Sequence, residues 1–391
     1  MKTFSIKKRL LQALCMIFVF LCFFADGRAE LPKPFRALQA DLDLVYDEDQ
    51  AQQARNLDSF IARIAALSPR AVFLQAYSDD LGDGNVRSVY FQNKVLPMKA
   101  DLFRKACLRI QRQGIMVFAW MPTMAIVLSD DYSNERLRVF EATKDGVVQP
   151  STSWYANRLS PFSKEASGLL KELYAALASS APIDGVIFQD DCYLNDFEDF
   201  NPEAVAAAKA QGITLNPAAK GQKASDMKRW TAMKTARLNS LTADLANEVR
   251  QIRPDAVFAR TIYAPVVTSP QSEEWFAQNY KSCLKLYDLT VIMAYPRMEK
   301  VKNDTIWLSQ LVAKAKLRDP TLSKTVFKLQ AYDWSASSWI SSSVFKRWVA
   351  ALKVSGAKNM AYYPDDYTVD KPAAKEIKPL LFDGIAKPKA K

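Results

Sequence analysis

Residues 183–191 read Ile-Asp-Gly-Val-Ile-Phe-Gln-Asp-Asp, an apolar run that ends in two adjacent carboxylates, Asp190 and Asp191. Asp196, Glu198 and Asp199 follow within one short loop. Paired carboxylates suit general acid and base chemistry: one gives a proton to a leaving oxygen while the other acts on the carbon being released. The chain contains no histidine. That removes Ser/His and Cys/His nucleophile systems, histidine-bearing metal sites and histidine bases together. Acid and base work falls to carboxylates, and crowding among like charges is one means of keeping one of them protonated.

Elsewhere along the chain, further acids follow other apolar runs. Asp41 and Asp43 close the first run, with Asp47, Glu48 and Asp49 soon after; Asp79, Asp80 and Asp83 follow the second; Glu299 follows the sixth; Asp365 and Asp366 follow the eighth. Aromatic residues share these places: Tyr46, Tyr77, Trp120, Tyr263, Tyr295, Tyr332, Trp334, Tyr362 and Tyr363. Flat rings with polar edges suit sugars, which present C–H patches on one face and hydroxyls around the rim. Arg260, inside the fifth run, joins the candidate substrate-binding set with Asp41, Asp43, Asp196, Glu198, Tyr77, Trp120, Tyr295, Tyr332, Trp334, Tyr363 and Asp365. About half of the acids are expected to serve as helix caps or charge balance instead. A divalent ion held by Asp41, Asp43 and Asp190 is chemically open, but the expectation is a site without metal or cofactor.

These residues need a scaffold that brings strand ends to one face. Eight β-prone runs alternate with amphipathic stretches: Arg36 to Asp41, Ala71 to Ala76, Ile115 to Met121, Gly185 to Gln189, Val257 to Ile262, Leu289 to Ala294, Thr325 to Ala331 and Asn359 to Tyr363. That alternation predicts α/β architecture, a (β/α)8 TIM-like barrel over residues 30–380 whose catalytic groups sit at the C-terminal ends of its strands. No Gly-x-Gly-x-x-Gly fingerprint follows the first run, which argues against a dinucleotide-binding doubly wound sheet. Long connections at 122–160 and 193–230 are expected to shape the cleft.

Residues 1–29 read as a secretory signal peptide. Lys2, Lys7, Lys8 and Arg9 precede an apolar stretch from Leu10 to Ala25, and Gly27-Arg28-Ala29 supplies small residues around a cleavage site. An uncleaved anchor is the alternative, although the run is short of the roughly 20 residues a spanning helix needs. The expected location is the periplasm or the exterior. Cleavage leaves Cys107, Cys192 and Cys283, an odd number that argues against a disulfide scaffold, and Cys192 reads as a packing residue. Cleavage also lowers the formal net charge from +11 to +7. The positive excess includes a basic tail over residues 381–391, while the acids gather at strand ends, so the local field there favours a cationic substrate. No nucleic-acid motif is present, and a monomer is expected.

With these segments in view, the chain resembles the C-terminal glycoside hydrolase domain of the poly-β-1,6-N-acetyl-D-glucosamine N-deacetylase family, the PgaB-like proteins. The resemblance lies in Asp-Leu-Asp-Leu-Val-Tyr-Asp (41–47), Gln-Gln-Ala-Arg-Asn-Leu-Asp (52–58), Leu-Gln-Ala-Tyr (74–77), Leu-Pro-Met-Lys-Ala-Asp (96–101) and Ala-Trp-Met-Pro (119–122). It continues through Arg-Leu-Ser-Pro-Phe (158–162), Asp-Gly-Val-Ile-Phe-Gln-Asp-Asp (184–191), Glu-Trp-Phe-Ala-Gln-Asn-Tyr (274–280), Ile-Met-Ala-Tyr-Pro (292–296) and Tyr-Tyr-Pro-Asp (362–365). It implies a barrel that cuts partially de-N-acetylated poly-β-1,6-N-acetyl-D-glucosamine internally, with an acidic groove for the cationic glucosamine units.

By matching motif, Asp190 and Asp191 stand at the family's paired acids, Asp196 and Glu198 in the acidic loop, and Glu299 at the acid after the sixth strand. Asp190 and Glu299 are expected as the acid/base pair, with Asp191 beside them. Two departures stand out. The family's metal-dependent deacetylase domain is expected to be missing, leaving deacetylation to a separate enzyme, with an outer-membrane export protein as another candidate partner. Gln189 occupies a position that is often histidine in the family. The alternatives are a non-catalytic polysaccharide-binding barrel that aids export, and a hydrolase of another amino-sugar polymer such as chitosan.

Overall fold

The computed structural model describes residues 31–128, 134–218 and 223–384. The signal-peptide reading and residues 385–391 of the basic tail lie outside the described residues. Eight parallel strands close a barrel: β1 Arg36–Ala40, β2 Ala71–Gln75, β3 Met116–Met121, β4 Gly185–Phe188, β5 Val257–Tyr263, β6 Leu289–Ala294, β7 Thr325–Gln330 and β8 Asn359–Asp365. Each strand pairs with its sequence neighbours, and β8 returns to β1 with Arg36 opposite Met360. The expected (β/α)8 barrel is the fold of this chain.

Period-2 alternation decides which side chains fill the barrel. Phe35, just before β1, and Phe73 and Phe118, on β2 and β3, have ring centroids 5.6–6.0 Å apart. Rings from strands two apart can meet only on the concave side, so these three close the N-terminal end of the barrel. Gly185 makes room for them, because a Cβ there would lie 2.3 Å from the Val257 carbonyl oxygen and 2.8 Å from the Phe118 ring. One or two layers higher the same alternation turns Gln39, Gln75, Trp120 and Lys328 inward.

The outer ring contains α1 Gln50–Leu67, α2 Phe103–Gln111, α3 Lys164–Ser180, α4 Ala224–Ile252, α5 Tyr280–Leu286, α6 Asp304–Lys316, α7 Ser342–Val354 and α8 Ala374–Leu381. Helix α1 buries Leu57, Phe60, Ile61, Ile64 and Leu67, the i, i+3, i+4 stripe that must face a sheet. Its first turn is capped by Asp49, whose carboxylate accepts from Ala51 N at 2.9 Å. Serine and asparagine cap others: Ser163 at α3, Asn303 at α6 and Ser341 at α7. Most of the strand-end acids are therefore left for other roles.

The long connections after β3 and β4 lie at the C-terminal ends of the strands. The first carries a ribbon of Phe140–Ala142 with Val148–Pro150, and Glu141 bridges to Glu198 in the second. A smaller ribbon, Tyr332–Asp333 with Ser338–Trp339, follows β7. Register shifts between Leu38 and Ala40 opposite β8, a bulge placed next to Tyr363 and the barrel mouth.

Candidate active site

Asp190 and Asp191 are neighbours in sequence with opposite fates. Asp190 is half-buried at the mouth, where its Oδ2 accepts from the Tyr155 hydroxyl at 3.0 Å and the Tyr263 hydroxyl at 3.3 Å. Asp191 is 0% exposed. Its carboxylate accepts from the backbone N–H groups of Thr123, Met124 and Ala125 at 2.6–3.0 Å. Burial raises its pKa, with the three N–H groups opposing. The expectation of Asp191 as a catalytic acid is corrected: its oxygens are occupied in holding the start of the 122–160 connection.

Two banks of aromatic rings flank the mouth. On one, Tyr77, Trp120, Tyr363 and Trp334 form a chain with centroid spacings of 5.3, 5.3 and 6.1 Å, and Tyr295 and Tyr332 adjoin Trp334 at 5.7 and 6.1 Å. On the other, Tyr155, Tyr193, Tyr263 and Phe276 are linked by spacings of 6.3, 5.9 and 4.5 Å. Gln189 joins the banks, accepting from the Tyr77 hydroxyl at 3.0 Å and donating to the Tyr155 hydroxyl at 3.4 Å. A glutamine at this place does structural bridging without titrating.

The acids near β1 and β2 form a second group. Asp41 is half-buried and receives a hydrogen bond from the Tyr363 hydroxyl at 3.4 Å. Burial pushes its pKa well above the ordinary carboxylate range, and the charges of Asp43, Asp79 and Asp366 push the same way against the Tyr363 bond. Asp43 is consumed by the loop: Gln75 Nε2, Ser78 Oγ, Asp79 N and Tyr90 OH all donate to it at 2.5–2.9 Å. With its oxygens so engaged, Asp43 positions Asp41 and Asp79 and has little capacity left for substrate. Glu299, in the turn after β6, is half-buried, its N–H bonded to the Tyr295 carbonyl at 3.0 Å. Burial is the one cause that raises its pKa.

Three other predicted binding residues belong to the scaffold. Glu198 is 0% exposed and paired with the equally buried Arg158 at 2.6 Å. Asp365 pairs with Arg63 of α1 at 2.8 Å and accepts from the Tyr362 hydroxyl at 2.6 Å. Arg260 is buried, donates to the Cys192 carbonyl, and stands against Cys192 and Cys283. Position in the sequence points each of the three to substrate, and an internal partner claims each instead. Asp196 keeps partial exposure on the loop that Lys234 of α4 ties down through the Asn195 and Glu198 carbonyls. Among the described residues no three Asp, Glu or Cys side chains are grouped so as to hold a metal ion.

Several residues of the mouth are absent from the set expected from sequence. Tyr155 and Tyr193 lie in the long connections, where their aromatic character was the available signal. Lys328 is the more informative omission. It sits on β7 at 3% exposure, donates to Gln39 Oε1 at 2.9 Å, and lies 5.9 and 6.0 Å from the ring centroids of Tyr295 and Tyr363. A lysine in the middle of the Thr-Val-Phe-Lys-Leu-Gln run was its signature.

A glycosidase-like arrangement of this kind is matched by known proteins. The model of hypothetical glycosyl hydrolase family 13 covers residues 39–363 of the chain. The chain belongs to this glycosyl hydrolase family. It is 38% identical over 354 residues to the poly-β-1,6-N-acetyl-D-glucosamine N-deacetylase of Escherichia coli K12, an alignment covering 88% of this chain and 52% of the relative. It thus spans about half the length of the curated relatives it matches. The solved glycoside hydrolase domain of PgaB (BpsB) from Bordetella bronchiseptica superposes with a TM-score of 0.83 at 37% identity, covering 89% of this chain and 98% of that one. A β-galactosidase from Rahnella sp. R3 shares only the fold, with a TM-score of 0.60 at 10% identity over 91% of this chain and 56% of its own. The family's barrel is therefore the frame for Asp190, Asp41 and Glu299, and the resemblance read from the motifs is this family relationship.

Proposed function

We propose that this protein is an endo-acting glycoside hydrolase, of the endo-β-1,6-glucosaminidase type, that cleaves partially de-N-acetylated poly-β-1,6-N-acetyl-D-glucosamine. The observation that carries the reading is Asp190 at the end of β4, its carboxylate oriented by two tyrosine hydroxyls between two banks of aromatic rings. The relatives' names supply the polymer. The acids around Asp41 supply a field suited to its free amines.

In this mechanism Glu299 is the proton donor. Burial favours its neutral form, so it holds a proton at a pH where an exposed glutamate has lost one. That proton goes to the glycosidic oxygen as the bond to the anomeric carbon breaks. Asp190 acts on the anomeric carbon, either directly or through water or the substrate's acetamide oxygen. Asp41 and Asp196 receive amines or hydroxyls, and the partly exposed Tyr332, Trp334 and Tyr363 receive the faces of the sugars, while the buried Tyr77, Trp120 and Tyr295 back them.

Reading residues 1–29 as an export signal supports action in the periplasm or outside the cell. N-terminal sequencing of the exported protein tests that point. Linkage and mode are tested by offering β-1,6-linked and β-1,4-linked glucosamine polymers of matched acetylation. Short internal fragments from the β-1,6 polymer alone support the proposal; equal cutting of both would assign the barrel to amino-sugar polymers generally.

A further inference from the structure

The floor of this acidic mouth contains a cation. Lys328 projects inward from β7, and its Nζ crosses to β1 to donate to Gln39 Oε1 at 2.9 Å. Among the described residues Gln39 is its only hydrogen-bond acceptor, although an ammonium has three donors. The Tyr295 ring of the β6 end and the Tyr363 ring of β8 lie 5.9 and 6.0 Å away. Asp190, two residues past the end of β4, is the charged group whose field it feels. Asp41 stands behind Tyr363, whose hydroxyl it receives. A lysine at 3% exposure without a directly bonded carboxylate carries a large desolvation cost. Its neighbours are also the residues that form the mouth: Tyr295 and Tyr363 both feel Asp190.

We propose that Lys328 is a positioning residue for the hydrolysis described above: its ammonium, moored to Gln39, seats the Tyr295 and Tyr363 rings and supplies the counter-charge against which Asp190 is held. This rests on the hydrolase reading for its kinetic consequences; the Gln39 bond and the two flanking rings place the ammonium in the mouth, and the pairing with Asp190 follows from the field of that carboxylate. When sugar fills the cleft and displaces water, Asp190 loses solvent stabilisation and the fixed cation replaces it. The ammonium is the competent form. Burial lowers the Lys328 pKa to about 8, with Asp190 opposing the fall, so the counter-charge is present at neutral pH and disappears in the alkaline range. The groups that face it and bear on this titration are Asp190, Tyr295 and Tyr363, with Asp41 beyond.

Two measurements test the proposal. In protein labelled with 13C at the lysine ε-carbon, the Lys328 resonance is assigned by its loss in Lys328→Arg, then titrated in wild type and in Asp190→Asn. The expected midpoint lies below that of the solvent-exposed lysines and falls further in Asp190→Asn, because the stabilising negative charge is gone. Equal midpoints in the two proteins would overturn the pairing, whether or not the protein hydrolyses anything.

The second measurement is the pH profile of kcat and KM on one preparation of partially de-N-acetylated β-1,6 polymer, so that titration of the substrate amines is common to all variants. Lys328→Met should lose about 100-fold in kcat with KM within about threefold, and lose the alkaline limb near pH 8. Lys328→Arg should recover about tenfold and carry the limb to higher pH, since a guanidinium does not titrate there. Unchanged kcat and limbs in Lys328→Met, or equal losses in both variants with the wild-type limb retained, would reduce Lys328 to packing. A wild type that makes no new reducing ends defeats the hydrolase reading, and the pairing of Lys328 with Asp190 then stands or falls on the resonance titration.

Discussion

The hydroxyl of Tyr155 donates to Asp190 Oδ2 at 3.0 Å, and the hydroxyl of Tyr263 donates to the same oxygen at 3.3 Å. Among the described residues no donor engages Oδ1, which leaves one oxygen of the carboxylate for substrate. Two phenols on one oxygen fix its orientation more than its binding strength. Tyr155→Phe should therefore lower kcat about tenfold with KM changed less than about threefold, read as initial rates of reducing-end release. A change confined to KM would mean that Tyr155 touches sugar and does not orient the acid.

Two raised carboxyls add a limb of their own to the pH profile, apart from that of Lys328. A carboxyl with elevated pKa keeps its proton to higher pH, so a reaction needing that proton extends above the ordinary carboxylate range and declines as the group ionises. Burial places Glu299 in this condition, and burial with neighbouring acids does so more strongly for Asp41. Glu299→Gln should cost about 100-fold or more in kcat and abolish the limb at the high-pH side of Glu299 titration. Asp41→Asn should mainly raise KM, by about tenfold, as a lost hydrogen-bonding partner of the sugar does. The reverse pattern would make Asp41 the proton donor.

How much of the molecule is legible in its sequence divides along one physical line. Strand β7, expected at Thr325 to Ala331, runs Thr325–Gln330; β6 matches its expected limits, because β-branched and apolar runs with turn residues at each end carry their own signal. Helix α1 begins at Gln50, well before the first buried residue of its apolar stripe, Leu57, since the Asp49 cap and not the stripe sets its start. Placing Asp190 at a strand end needed only local pattern. Separating it from Asp191 needed the loop of Thr123–Ala125, some 70 positions distant in sequence, whose N–H groups claim the second carboxylate. The same holds for Glu198 and Asp365. Their partners Arg158 and Arg63 are remote in sequence, and nothing near either acid announces them. Local alternation shows which face a side chain takes, and only tertiary contact shows whether its charge is already paired.

The pair Arg158 and Glu198 gives a stability test. Both are 0% exposed at 2.6 Å, with Ser151 and Ser153 completing the cluster. Burial pushes the Glu198 carboxyl up, but the Arg158 charge, the Ser151 hydroxyl and the Asn195 N–H outweigh it and hold the group below its ordinary value. A depressed carboxyl contributes stability that is complete above its unfolded pKa and is lost as pH falls through the folded one. Glu198→Gln should thus cost roughly 3–5 kcal/mol at neutral pH by leaving Arg158 buried and unpaired. Urea unfolding should show the gap between wild type and variant narrowing in acid. A gap independent of pH would contradict the assignment.

Trp334 is 45% exposed and nearly parallel to the Tyr363 ring, at an interplanar angle of 25°. An exposed indole at the end of a chain of rings has little packing role, so truncation should be felt by ligand and not by fold. Trp334→Ala should raise KM about tenfold, equivalent to roughly 1.4 kcal/mol, with the melting temperature nearly unchanged. A large loss of thermal stability with normal KM would return this tryptophan to the scaffold.

The central claim is that Asp190 performs chemistry on a polysaccharide. The direct measurement is the count of new reducing ends when partially de-N-acetylated poly-β-1,6-N-acetyl-D-glucosamine is incubated with the wild-type protein and with Asp190→Asn, alongside the affinity of each for the same polymer. Steady release of ends by the wild type, reduced at least about 100-fold in the variant while polymer is still bound, is the predicted result. Tight binding by both proteins with no new ends from either would contradict it and leave a polysaccharide-binding barrel.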